Sequence, residues 1–407
     1  MANKITPTDV YSSFNTLIGQ QAGGALGTSY LGETITVGQA AQLYGYENTL
    51  NALSAAMGRV LIGVRPYTGS YALIETDNEA YGQIARKISY FYDGFETAKD
   101  WETGTGSGGH LQDGQTVDAY TIHKRYPLEM QFGGLKVLEK SYTRFLRQLK
   151  VAFSNAEQFD AFYRGEAVQI NNEIQMMKEV ENRALVLNAI GATFNTGSSS
   201  MKVNLTKLFN TEKGTTFTTA QLLNDALPDF VKFFVSKVKF LSDLMQKNTN
   251  LYHLTPTKKG DGDRTLSLLR HTPKEAQRLL VSSKLWYDAE TNVMPSIFHD
   301  GYLKLDQAER IAYWQSPTDP MKVNVTPNQF DVKTGLSKDG DNVADLVVVG
   351  LLYDKDALTV TYRQEDVLTT PINASGVYYN TVHHWAKDYR YDPTENMILF
   401  YMKDDEV

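Results

Sequence analysis

The chain has 407 residues, 42% hydrophobic and 21% charged, with a net charge of −7 and no cysteine. That length holds two or three domain-sized units, and the composition is that of an ordered globular protein. The missing thiols exclude disulfides, cysteine nucleophiles and cysteine-type zinc sites and fit a reducing cytoplasm, and the mild acidity argues against polyanion binding through bulk charge.

The opening stretch MANKITPTDVYSSFNTLIG has no apolar segment of signal-peptide type. No apolar run approaches the ~18 residues of a membrane span, so a soluble protein is expected, with no membrane partner. Residues 1–55 read as an irregular arm, studded with glycine and small polar residues and too loose for a core of their own. Residues 56–135 read as an extended hairpin. RVLIGV and ARKISYFY are strand-like, and TVDAYTIHKRYPLEMQFGG reads as a long return strand.

Between them lies DWETGTGSGGHLQDG, where Gly104, Gly106 and Gly109 stand at the spacing G-x-G-x-x-G. A dinucleotide site needs a buried strand before these glycines and a helix opening at the last, whose N-terminus holds the phosphates. The preceding YDGFETAKDW is charged, and Asp113-Gly114 is a turn signal followed by strand-like alternation. The stretch is expected to be a flexible loop, with no cofactor.

The texture changes at Ser154. Ser154 and Glu157 form a capping-box pair. Apolar residues then recur at Tyr163, Ala167, Ile170, Ile174, Met177, Val180, Ala184, Leu187 and Ile190, with Gly191 as the expected stop. The spacing predicts one very long helix over 155–191, lying on a sheet. TTAQLLNDALPDFVKFFVSKVKFLSDLMQ reads as helix restarted at Pro228. TPKEAQRLLVSSKLW reads as another helix, capped by Thr272 with Pro273 in its first turn and Glu275 completing a capping box. LYHLT is a short strand candidate. From Asp345 onward the chain reads as strands: DLVVVGLLY, ALTVTYRQEDV, GVYYNTVHHWAKDYRY and NMILFYM. The class is α+β.

Chemistry is sparse. His383 and His384 are adjacent on a strand and point to opposite faces, so they are expected to be one packed and one exposed rather than a chelating pair. KDGDN at 338–342 and KKGDGDR at 258–264 echo calcium loops but lack the later ligands, and read as solvated turns. No nucleophile elbow, H-E-x-x-H or Walker loop is present. No catalytic or metal-binding residue is assigned, although two carboxylates would suffice for a hydrolase.

The order of elements resembles the major capsid proteins of tailed bacteriophages, the Hong Kong 97-type fold, and most closely its podovirus-type members. ARKISYFYDG…TIHKRYPLEMQFGG is similar to the family's E-loop hairpin. EQFDAFYRGEAVQINNEIQMMKEVENRALVLNAIGATF is similar to its spine helix, and the chain from Asp345 to its late strands. The resemblance implies an N-arm at 1–55, the E-loop region at 56–135 and a peripheral domain at 136–200. An axial domain at 201–344 and terminal strands at 345–407 returning to the peripheral and axial core complete it. It implies a virion protein, present in the host cytoplasm during assembly, that forms pentamers and hexamers with a scaffolding protein and a portal protein. Packaged double-stranded DNA would face its inner surface. Under it, the loop residues Trp101, Gly104, Gly106, Gly109, Asp113 and Gly114 would touch a neighbouring subunit, glycine flexibility fitting them to five- and six-fold rings. An encapsulin-type compartment shell, a carboxylate-dependent hydrolase and a tail-fibre protein are the alternatives.

Overall fold

The computed structural model describes residues 65–76, 84–94, 111, 113–116, 119–120, 122, 124–133, 136–145, 156–256, 258–259, 265–292, 308–332 and 334–404. The arm at 1–55, RVLIGV and the Ser154 half of the capping box lie outside them. In chain order the elements begin with β1 (Ile84–Tyr90), β2 (Pro127–Gly133) and β3 (Lys136–Phe145). The long helix α1 (Ala156–Thr196) follows, then β4 (Lys202–Asn204), α2 (Leu205–Lys213), α3 (Thr219–Asn224) and α4 (Leu227–Met245). Next come β5 (Lys258–Lys259), β6 (Thr265–Leu266), β7 (Gln277–Ser282), α5 (Ser283–Asn292) and β8 (Ala308–Ile311). The chain closes with β9 (Lys322–Val325), β10 (Asn328–Phe330), β11 (Ser337–Asp339), β12 (Val343–Asp354), β13 (Leu358–Thr369), β14 (Tyr378–Tyr391) and β15 (Met397–Met402). No helix among the described residues is long and apolar enough to cross a membrane.

The chain divides into two compact units. One comprises Met1–Thr68, Glu139–Met177 and Asp366–His384, the other Gly69–Leu138, Lys178–Glu365 and Trp385–Val407. The larger is built on a sheet of order β4-β15-β12-β7-β8, with β9 pairing the first half of β12. β15 and β7 run antiparallel to β12, while β4 is parallel to β15 and β8 to β7. Its strands are apolar on both sides because both faces are covered. Ile398, Phe400, Met402, Leu279 and Val281 pack with Phe209, Phe230 and Phe234 of the helices α2 and α4. Their strand neighbours Met397, Leu399 and Leu280 pack with Val186, Ala189 and Ile190 of α1. Burial of that two-sided core is the main stabilising term.

The four late strands and the Pro228 restart match the sequence reading. Three other expectations do not. The segment after Pro273 is a single 3-10 turn, Lys274–Ala276, leading into β7 rather than a helix. Strand pairing with β12 and β8 on either side decides it, and helix returns only at Ser283. LYHLT is irregular chain. And α1 does not stop at Gly191 but runs to Thr196, about 60 Å in all at 1.5 Å per residue. Gly191 is there for packing: a Cβ would meet Val325 Cγ1 at 2.7 Å and Pro327 Cβ at 3.0 Å.

The expected apolar stripe is also only half right. Leu187 is half-buried and Ile190 fully buried, whereas Val180 and Ala184 are exposed and Glu179 and Asn182 are buried. Asn182 earns its place through hydrogen bonds, donating from Nδ2 to Glu75 Oε1 at 2.8 Å and accepting from Tyr362 Oη at 2.7 Å.

In the smaller unit, α1 carries Asn172, which donates to the Arg65 carbonyl at 2.7 Å and accepts from the Tyr67 amide at 2.8 Å. Tyr142 and His383 meet edge to face at 5.8 Å, and Thr143 donates to Asn380 at 2.8 Å. Both His383 and His384 are half-buried, so neither is the exposed member of a packed-and-exposed pair.

Candidate assembly surface

The hairpin is real but shorter than its sequence suggests. β1 and β2 pair antiparallel from Ile84 with Gly133 to Tyr90 with Pro127, and the described residues 119–120, 122 and 124–126, which read as strand, are not in one. Period-two alternation sorts the ribbon into two faces. One carries Lys87, Ser89 and Phe91 toward the rest of the unit. The other carries Arg86, Ile88, Tyr90 and Tyr92 with Pro127, Glu129 and Gln131.

Part of the outward face, beside the Arg86–Glu129 pair, is apolar without being covered. Ile88 is 58% exposed, Tyr90 63% and Tyr92 52%. Scattered exposed apolar residues are ordinary, but a row of them on one face of a two-stranded ribbon is a candidate surface for association. Arg86 pairs with Glu129 across the strands, and hydrogen bonds from Gln131 and Arg86 hold the Glu129 carboxyl below its usual range.

The inward face is anchored by charge more than by apolar area. Lys87 Nζ pairs with both Asp392 and Glu395 in the turn between β14 and β15. Arg270 donates from Nη2 to Ser89 Oγ at 2.6 Å and from Nε to the Thr394 carbonyl at 3.1 Å, and lies 3.5 Å from Glu395. Burial pushes the Glu395 carboxyl up, against the pull of Lys87 and Arg270. Asp392 Oδ1 meanwhile accepts from the Thr394 amide at 2.9 Å and its hydroxyl at 2.6 Å, so the turn is built around one carboxylate. Phe91 adds a small apolar contact with Leu266 and Leu268. The ribbon is thus held from its middle to its loop end.

Of the residues expected in the loop, Trp101, Gly104, Gly106 and Gly109 lie outside the described residues. Asp113 and Gly114 form an exposed turn, with Gly114 at φ +80°, a conformation that suits glycine. The exposed row lies in ISYFY at 88–92, where alternation puts Ile88, Tyr90 and Tyr92 on one face and Ser89 and Phe91 on the other, and sequence reasoning passed over it for the glycines. Of the two calcium-like stretches, 338–342 is the end of β11 followed by irregular chain, and 260–264 of the other lies outside the described residues. Gly340 donates its amide to the Pro327 carbonyl at 2.8 Å and a Cβ there would meet Gln329 Oε1 of β10 at 2.5 Å, while Asp339 and Asp341 face solvent. Residues 258–259 and 265–266 flank the other as the short ladder β5–β6.

No protein-family model and no curated protein matches the sequence. Solved structures do. A chain of the capsid of Staphylococcus phage Andhra superposes with a TM-score of 0.52 over 85% of this chain and 87% of its own, at 12% identity. A chain in the structure of the head fiber and inner core protein gp22 of native bacteriophage P68 gives 0.50 over 85% and 87%, at 10% identity. The fold is α+β and of the Hong Kong 97 type seen in phage capsids.

Proposed function

We propose that this chain is a major capsid protein whose copies assemble as pentamers and hexamers into an icosahedral shell around phage double-stranded DNA. One observation carries the reading: the fold of a phage capsid chain matches over 85% of this chain, whose β1–β2 ribbon leaves Ile88, Tyr90 and Tyr92 uncovered. A ribbon with so little core beneath its outer face gains by burying that face on another subunit. The role is structural rather than enzymatic. A scaffolding protein and a portal protein are the expected assembly partners, the virion the final location and the host cytoplasm the place of assembly. The loop with Trp101, Gly104, Gly106, Gly109, Asp113 and Gly114 belongs to the same contact between subunits.

The test is electron microscopy of the purified chain with its scaffolding partner, where closed shells or rings are expected. Nuclease-protected DNA in native particles separates a phage head from an enzyme-filled compartment. Replacing residues 99–115 by an Asn-Gly turn should leave the melting temperature of the free subunit nearly unchanged, because loop closure depends weakly on length. The same deletion should give failed or aberrant particles, and normal shells would remove the loop from the contact.

A further inference from the structure

Beneath the turn that anchors the hairpin runs a buried chain of polar groups. The His253 ring nitrogens face two oxygens, Nε2 at 3.0 Å from the Leu268 carbonyl and Nδ1 at 3.2 Å from Asn396 Oδ1. Asn396 Nδ2 donates to Thr272 Oγ1 at 3.1 Å, and Thr272 Oγ1 donates to Asp354 Oδ2 at 2.7 Å. The other Asp354 oxygen accepts from the Asp356 amide at 2.9 Å. His253, Asn396, Thr272 and Asp354 are all buried, so each contact must be made within the chain.

Proton counting then constrains the state. As arranged, both His253 nitrogens must donate, which makes the ring an imidazolium and Asp354 a carboxylate. Turning the Asn396 amide over gives the other complete arrangement. Neutral His253 donates from Nε2 and accepts at Nδ1 from Asn396, Thr272 donates to Asn396, and a protonated Asp354 donates to Thr272. Both arrangements hold one proton between the two ends. With no proton, some pair of lone pairs must face each other; with two, the Thr272 proton is left without one of these acceptors.

We propose that this relay holds a single titratable proton shared between His253 and Asp354, making it a pH-sensitive clamp in the core. The segments cannot drift apart to relieve a mismatch. The Met397 amide donates to the Tyr252 carbonyl, Leu254 to Pro393, Thr272 to Met245 and Asp354 to the Asn396 carbonyl, all at 2.7–2.9 Å. The charged groups around the two ends are Arg270 and Asp392 by His253, and Asp356 and Lys87 by Asp354. Glu395, next to Asn396, is engaged by Lys87 and Arg270. Burial lowers the His253 pKa and raises that of Asp354, which favours the proton on Asp354.

The sign follows from linkage. Unfolded, the pair holds one proton between about pH 3.9 and about pH 6.5, none above and two below. The folded relay keeps one proton beyond both limits. Its contribution is therefore level in that window and falls as pH rises above about 6.5 or drops below about 3.9. Urea unfolding of the unassembled full-length chain, from about pH 5 to about pH 9, reads this directly. Wild type should lose stability above about pH 6.5 with the slope of one released proton. Asp354→Asn should flatten that slope, since its amide donates to Thr272 at any pH. Equal slopes in the two proteins would overturn the proposal. Nitrogen-15 spectra of histidine-labelled wild type need no variant. A His253 ring protonated at Nε2, or at both nitrogens, is expected at neutral pH, and a neutral ring protonated at Nδ1 alone overturns it.

Discussion

Gly191 shows how one residue can be read correctly as special and wrongly as to why. A glycine that ends a helix and a glycine that lets a helix approach its neighbour look the same in one sequence. The distinction rests on Val325 and Pro327, more than a hundred residues downstream. Gly191→Val should lower stability by about 1–3 kcal/mol through overpacking, measured as a shift in urea midpoint without change in slope. The buried network around Asn396 was equally hidden. Its members are scattered from His253 to Asn396, and no local pattern marks them as partners. The turn at Asp113-Gly114 was legible because turn chemistry is local, whereas the row at Ile88, Tyr90 and Tyr92 was not picked out, because alternation says which residues share a face and not which face is left uncovered.

At the scale of elements, what was visible was what periodicity alone decides. The long helix and the last four strands carry their pattern over many residues, and the helix capped at Thr218 and restarted at Pro228 carries local signals. The segment Gln277–Ser282 does not, because six residues can follow either period and pairing with β12 and β8 chooses strand. On α1 the period was right and the face only half right, since burying Glu179 and Asn182 depends on partners that hydropathy ignores. The two faces can be told apart by experiment. Ile190→Ala should cost about 2–5 kcal/mol as a truncation in a closed core. Val180→Ala should stay within about 0.5 kcal/mol, as expected for a solvent-facing change. Equal losses in denaturant melts would place α1 differently on its sheet.

At the scale of the whole molecule, folding and association should respond to different substitutions. Ile88→Lys sets a cation opposite Glu129, and Tyr90→Thr keeps a strand-forming residue opposite Pro127, so the ribbon itself should survive. The double variant should melt within a few degrees of wild type as a free subunit and fail to form shells, read by light scattering and electron microscopy. Shells of normal size and yield would show that this face is not where subunits meet.

The strand order has a consequence for biosynthesis. β15 lies between β4 and β12, so the middle of the sheet stays open until residues 397–402 have left the ribosome. Helices α2 to α5 are made long before the strand that closes their core. A nascent chain therefore cannot mature piece by piece as it is translated, and its decisive folding step follows synthesis of that last strand. A ribosome stalled before residue 397 would release a chain whose central strands still seek a partner, which makes such fragments natural targets for chaperones.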